Sequence, residues 1–236
     1  PKAVHPWVFN GRATYKREAG RAVRHLHLVG MNRIVLLQSD DSFGDDGAAG
    51  ALAGFDAVKL KPVLHERYSR AKPDFGPIGP KVAQSGAHAV VFVGAGTHVV
   101  DGMKAIRAAG SNAQIVTLSN NAASGFIKAL GNQAHGVVVS QVFPFERSMA
   151  SPLVKELTEL LAARRKGEEA TPAMLEGFAA AKVLVEALRR AGRDPTPERI
   201  KNALEGFKRV DIGGLEVSYS PTDHTGLDYA DLSIIT

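Results

Sequence analysis

Cysteine is absent from this sequence of 236 residues. That excludes disulfides, thiolate zinc sites and cysteine nucleophiles, and it leaves the compartment open. No apolar run is long enough to span a bilayer. The opening residues Pro1-Lys-Ala-Val-His5 carry neither an initiator methionine nor a signal-peptide pattern, so the chain reads as mature, trimmed or a fragment. Also missing is any long basic run interleaved with aromatics. The net charge is +5, but the basic clusters are scattered: Arg164 to Lys166, Arg189 with Arg190, and Lys208 with Arg209. Each ends or follows a predicted helix, where cations suit the helix dipole. This is a solvated basic face rather than a nucleic-acid surface.

What is present is globular. Apolar residues make up 44% of the chain and charged residues 22%, which argues against disorder. The chain is long enough for one large domain or two small ones. The most informative stretch runs from Arg33 to Gly47. Arg33 to Gln38 is short, apolar and rich in branched residues, as a strand covered on both faces would be. Ser39 to Ser42 is small and polar and marks a turn. Ser42 reads as a helix N-cap, with Asp45 and Asp46 in the first turn, where negative charge suits the dipole.

Strand and helix then alternate roughly four times, which predicts a parallel α/β sheet with right-handed crossovers. Helical spacing covers Glu18 to Val29, then Ala48 to Phe55. Strands are expected over Val58 to Tyr68, Ala89 to Val93, Gln114 to Leu118 and Gly136 to Val142. Helices are expected over Val99 to Ala109 and Ala122 to Leu130, with a short broken one between Pro73 and Ser85. In such sheets, ligands bind outside the carboxyl ends of the strands. Three turns, at 39–44, 94–97 and 119–121, should therefore cluster along one edge. Asp40, Asp41, Ser42 and Phe43 lie where a ligand would sit, although capping, turn orientation and packing explain each of them equally well.

After Pro144 the character changes. Helices are predicted from Ser151 to Lys166, from Thr171-Pro172 to Gly192, and from Thr196-Pro197 through Leu204. Only two short strand-like runs follow, Leu215 to Tyr219 and Ala230 to Ile235. That is too little sheet for three amphipathic helices to cover.

Motifs for chemistry are weak. Gly94-Ala-Gly96 lacks the third glycine and the distal acid of a dinucleotide loop, so a tight turn explains it. Ser69-Arg-Ala-Lys72 matches a Ser-x-x-Lys pattern without its companion motifs. The histidines, including His65, His98 and His224, lack metal-ligand spacing. No catalytic residue, cofactor or metal is called for.

The order of elements resembles the type I periplasmic binding proteins, in particular the branched-chain amino-acid (Leu/Ile/Val) substrate-binding family of ABC importers. The resemblance rests on Trp7-Val-Phe-Asn-Gly-Arg-Ala-Thr-Tyr15, Asp40-Asp-Ser-Phe-Gly-Asp-Asp-Gly47, Gly94-Ala-Gly96, Ala108-Ala-Gly110 and Leu130-Gly131. It continues through Gly136-Val-Val-Val-Ser-Gln-Val142, Leu175-Glu-Gly-Phe178 and Ile212 to Gly226. No single motif is specific, but the ordered set covers essentially the whole chain.

The resemblance implies two α/β lobes joined by three crossings, with the ligand held in the cleft between them. Residues 12–141 plus 218–236 would form the second ligand-binding lobe, and 142–217 the returning helices of the first. Most of that first lobe, with its sheet, would be absent from this chain. The implied ligand contacts fall on Phe43, on Ala95 or Gly96, and on Ser119; Asp41, Ser42 and Asn120 in the same turns and Gln141 at the second crossing are the further ligand-binding candidates, with Tyr15 and Phe143 at the hinge. Amino-acid binders typically place aromatics at the positions of Phe43 and Ala95, and an acid at Ser119 to pair with the ligand ammonium. Phe43 keeps its aromatic wall, whereas Ala95 enlarges the pocket. Losing one partner of a buried charge pair costs about 2–5 kcal/mol, so Ser119 fits an aromatic or aliphatic carboxylate about as well as an amino acid. The implied partners are this small organic ligand and an ABC permease, and the membrane is reached only through the permease. The implied location is periplasmic, or extracytoplasmic with a lipid anchor. A ligand-sensing receptor or regulator of the same fold is the alternative.

Overall fold

The computed structural model describes residues 4–236, apart from the Ser124 side chain. Pro1, Lys2 and Ala3, read above for a leader pattern, lie outside the described residues. The chain divides into two compact units: a larger one of Thr14–Gln141 with Ala230–Thr236, and a smaller one holding the chain up to Ala13 and Val142–Tyr229.

In the larger unit, α1 (Tyr15–Leu28), β1 (Ile34–Ser39), α2 (Ser42–Ala57), β2 (Leu64–Tyr68) and α3 (Ile78–Gln84) come first. They are followed by β3 (Ala89–Val93), α4 (Gly96–Ala108), β4 (Gln114–Thr117), α5 (Ser124–Leu130) and β5 (Val138–Gln141). The smaller unit holds α6 (Pro152–Arg164), α7 (Pro172–Ala191), α8 (Pro197–Glu205), β6 (Val210–Asp211) and β7 (Glu216–Val217). The chain ends with β8 (Asp231–Ile234), which returns to the larger unit.

The larger sheet has the order β2-β1-β3-β4-β5-β8. All neighbours are parallel except β5 and β8, which pair antiparallel from Val138–Ile234 to Gln141–Asp231. β1 is buried at every residue, as a central parallel strand with helices on both faces must be. Its side chains alternate. Val35 and Leu37 pack with Val82, Val99, Met103 and Ile106 of α3 and α4, while Ile34 and Leu36 pack with Ala19, Val23, Ala51 and Phe55 of α1 and α2. The helix that follows β1 thus covers one face, and the helix that follows β3 covers the other.

Several boundaries moved, each for a local reason. Asp41, not Ser42, is the N-cap of α2. Asp41 is extended (φ −113°, ψ 176°) and its carboxylate accepts the Gly44 N–H, whereas Ser42 is already helical. α3 starts at Ile78 rather than near Pro73, with Pro77 capping it and Pro80 in the first turn, where a missing N–H costs nothing. β2 is shorter than expected, because Lys59 turns the chain with a positive φ of 56° before Pro62. The short strand β6 was not anticipated.

In the smaller unit, Thr171 and Thr196 cap α7 and α8 through their hydroxyls, each followed by a proline at the first helical position. Leu153, Leu175, Ala179, Val183, Leu204 and Phe207 are buried. Among the described residues, the only ladder in this unit longer than an isolated bridge is the two-residue pair β6–β7. The segment 218–229, expected with the larger sheet, falls in the smaller unit. Tyr219 N–H donates to the Phe207 carbonyl, and Gly226 N–H to the Asn10 carbonyl. His224 is buried there, stacked on Phe9 at 3.8 Å, with Nδ1 2.9 Å from the Val8 carbonyl and Nε2 3.2 Å from Glu205.

Candidate functional site

The carboxyl ends of β1 to β5 share one edge of the parallel sheet, so the turns after β1, β3 and β4 come together there. The helices leaving β1 and β3 go to opposite faces, which makes the gap between them the switch point at which doubly wound sheets bind ligands. The start of α2 fits closely against this point. A Cβ at Gly44 would stand 1.9 Å from the Ser39 carbonyl oxygen, and one at Gly47 would stand 2.6 Å from a Val93 methyl.

Phe43, in the first turn of α2, is half-buried and meets Tyr15 edge-on at 4.9 Å. Asp41 beside it is engaged. Ser39 Oγ donates to it at 2.6 Å, Gly44 N–H at 2.9 Å, and Arg70 forms an ion pair with it. Burial pushes the Asp41 carboxyl up, but these partners outweigh it and hold the group at about 2. Asp40 accepts the Arg70 N–H at 2.9 Å. Ser42 is exposed.

Ala95 caps α4 and Gly96 begins it. Gly94 is explained by packing, since a Cβ there would meet the Tyr68 hydroxyl at 2.5 Å. The Gly94-Ala-Gly96 turn therefore has a structural reason independent of any nucleotide. Ser69 likewise serves a turn, accepting the Lys72 N–H at 3.4 Å.

Ser119 and Asn120 lie in a single turn of 3-10 helix, Ser119–Asn121. The Asn120 amide donates to the Gly94 carbonyl at 3.1 Å and to Asn121 Oδ1 at 3.2 Å, which ties this turn to the one after β3. Gln141 ends β5 and is half-buried. Of the residues assigned to the hinge, Tyr15 opens α1 beside Phe43, and Phe143 is buried in the smaller unit.

Glu18 went unnoticed as a site residue. It is fully buried in the first turn of α1. Its carboxylate accepts the Ser119 N–H at 2.8 Å, the Ser119 hydroxyl at 3.0 Å and the Ser140 hydroxyl. The available signal was an acid on the face shared by Ala19, Ala22, Val23 and Leu26, because carboxylates are almost never fully buried without partners.

Elsewhere, the smaller unit has a cleft of about 240 Å³ lined by Trp7, Phe9, Val183, Leu184, Leu204 and Tyr219. Its wall is apolar and lacks the convergent polar groups that orient a small ligand. Among the described residues, no group of three or more His, Asp or Glu is placed to hold a metal. No helix among them is long and apolar enough to cross a membrane.

The chain belongs to the periplasmic binding protein family, whose pattern matches residues 1–231. Its fold is the type I periplasmic binding fold of the Leu/Ile/Val-binding relatives. A substrate-binding periplasmic protein from Ralstonia solanacearum is 28% identical, with a TM-score of 0.83 over 98% of this chain and 67% of that one. A possible leucine/isoleucine/valine-binding protein from Rhodopirellula baltica is also 28% identical, with a TM-score of 0.83 over 98% of this chain and 64% of that one. An extracellular ligand-binding receptor from Verminephrobacter eiseniae is 25% identical, with a TM-score of 0.84 over 98% and 66%. The chain thus spans about two thirds of the length of these relatives. No curated protein sequence matches it.

Proposed function

We propose that the carboxyl edge of the larger unit's sheet is a binding wall for a small organic ligand, either an amino acid or an aromatic or aliphatic carboxylate. On this reading the protein is the extracytoplasmic substrate-binding component of an ABC importer. It captures the ligand, hands it to the permease and performs no chemistry. The larger unit serves as the family's second lobe, and the helices of the smaller unit belong to its first. Phe43, Ala95, Gly96, Ser119 and Asn120 face the ligand, flanked by Asp41, Ser42 and Gln141, and Tyr15 and Phe143 serve the hinge.

The observation that carries this reading is the meeting of three turns at the switch point. There a half-buried aromatic ring, a small-residue opening and a polar corner lie together. Family membership supports it independently. A sensing role on the same fold is the second reading, favoured by the relative described as an extracellular ligand-binding receptor.

The test is a thermal-shift screen of the full-length protein against branched-chain and aromatic amino acids, together with their amine-free carboxylate analogues. A ligand that binds only the folded state adds about 2.7 kcal/mol of apparent stability at a hundredfold excess over its Kd. Phe43→Ala should weaken the ligand so found by about tenfold, the worth of a well-packed aromatic contact. A complete absence of shifts, or an unchanged Kd in that variant, would sink the reading.

A further inference from the structure

We propose that the end of α1, at the amino edge of the larger unit's sheet, rests directly on an anionic lipid bilayer. Leu28 and Val29 dip among the lipids, and the arginines behind them meet headgroup phosphates. This goes beyond the reading of the opposite edge as a binding wall, and it adds a membrane contact that needs no permease.

The charges of this unit are sorted along the strand direction. The connections into β1 to β5, all at the amino edge, carry Arg33, Lys59 and Lys61 and no Asp or Glu. The last turns of the helices leading there add Lys81, Arg107 and Lys128. Among the described residues they add one acid, Asp56. Asp40, Asp41 and Asp74 lie in connections at the carboxyl edge instead. Arg33 and Arg107 are tied to backbone carbonyls, so Lys59, Lys61 and α1 supply the charge that can reach outward.

On α1 the inner face is apolar at Ala19, Ala22, Val23 and Leu26, and the one acid, Glu18, is buried with them. The outer face carries Arg21 and Arg24. Both are exposed and, among the described residues, in no ion pair. Leu28 lies on that same face, one turn beyond Arg24 and two beyond Arg21. A surface position at the end of such a stripe is ordinarily polar. Here it is a leucine 81% exposed, followed by Val29 at 54%. Nothing stands in front of the pair. Gly30 turns the chain back with a φ of 84°, and a Cβ built there would meet no atom within 4 Å.

Isolated exposed aliphatics are common on soluble proteins. Two adjacent ones on a protruding turn, backed by long flexible cations, match a fluid anionic surface, which moulds itself to the tip and offers phosphates in every direction. A folded acidic partner would instead need a rigid pocket for the leucine and carboxylates in fixed register with the guanidiniums. With the amino edge on the bilayer, the carboxyl edge of the same sheet points away from it.

The test is flotation of the full-length protein with vesicles of phosphatidylcholine alone and of an equimolar mixture with phosphatidylglycerol. The protein should float with the mixed vesicles and not with the neutral ones. A lysine or arginine near an anionic surface is worth about fivefold in affinity, so Arg21→Glu with Arg24→Glu should weaken binding by about 25-fold or more. Leu28→Ser should weaken it by about tenfold. Arg164→Glu with Arg165→Glu changes the net charge equally on α6, and should alter binding by less than about threefold. A fluorophore on Val29→Cys should brighten and shift to the blue on the mixed vesicles. One on Lys72→Cys, in the connection from β2 to α3 at the other edge, should not.

No binding to the mixed vesicles, equal binding to the neutral ones, or a loss matched by the α6 pair overturns the proposal. So does binding that needs the arginines while Leu28→Ser is neutral and the Val29 label stays in water, which is the pattern of an acidic protein partner.

Discussion

Asp41 shows how one side chain at this edge does structural work beside a proposed ligand. It caps α2, anchors Ser39 and pairs with Arg70. Its carboxyl sits at about 2, below the ordinary value of 3.8. A depressed acid contributes stability that is fully present above its unfolded pKa and is lost as pH falls through its folded one. The protein should therefore lose this contribution between the two values. Asp41→Ala should cost about 1 kcal/mol at neutral pH, the usual worth of a cap, and should flatten acid unfolding in that window. Urea melts at pH 7 and across pH 4 to 2 check both; an unchanged acid limb would contradict the role. The sequence made this turn visible through its small polar residues. It did not distinguish Asp41 from Ser42, because both can cap and only the backbone angles separate them. Glu18 was harder still: its partners Ser119 and Ser140 lie 101 and 122 residues away in sequence.

At the scale of elements, the larger unit depends on close contact between α1 and α2. A Cβ at Gly50 would stand 1.8 Å from the Lys16 carbonyl oxygen, and one at Gly54 would stand 2.7 Å from that of Gly20. Both obstacles are backbone, which cannot swing aside. Gly50→Ala should destabilise by about 1–3 kcal/mol, the range of overpacking, even though alanine is the better helix former. Denaturant unfolding measures it, and a neutral or stabilised variant would contradict the packing described. The long apolar patterns were legible. β3 falls where its run predicts, β1 shifts by one residue and β4 ends one residue early, because buried parallel strands show as unbroken apolar runs. Boundaries set by turns were not. The start of α3 depends on how the chain passes Pro77 and Pro80, and β6 is two residues long, too short to leave a periodic signal.

At the scale of the molecule, alternation of strand and helix was enough to call a parallel α/β sheet, and the ordered set of weak motifs was enough to call the family. The path of residues 218–229 was not legible. It is fixed by bonds to Phe207 and to Asn10, the latter remote in sequence. The smaller unit pairs three amphipathic helices with a two-residue ladder, and the chain spans about two thirds of the length of its solved relatives. The proposed binding wall is the edge that the larger unit builds from its own turns. The most direct measurement is amide chemical-shift mapping of the full-length protein, titrated with the ligand that stabilises it in the thermal screen. The largest shifts should fall at Phe43, Ala95, Gly96, Ser119 and Asn120. Shifts gathered instead around Trp7, Phe9 and Leu184, with those five amides unmoved, would contradict it.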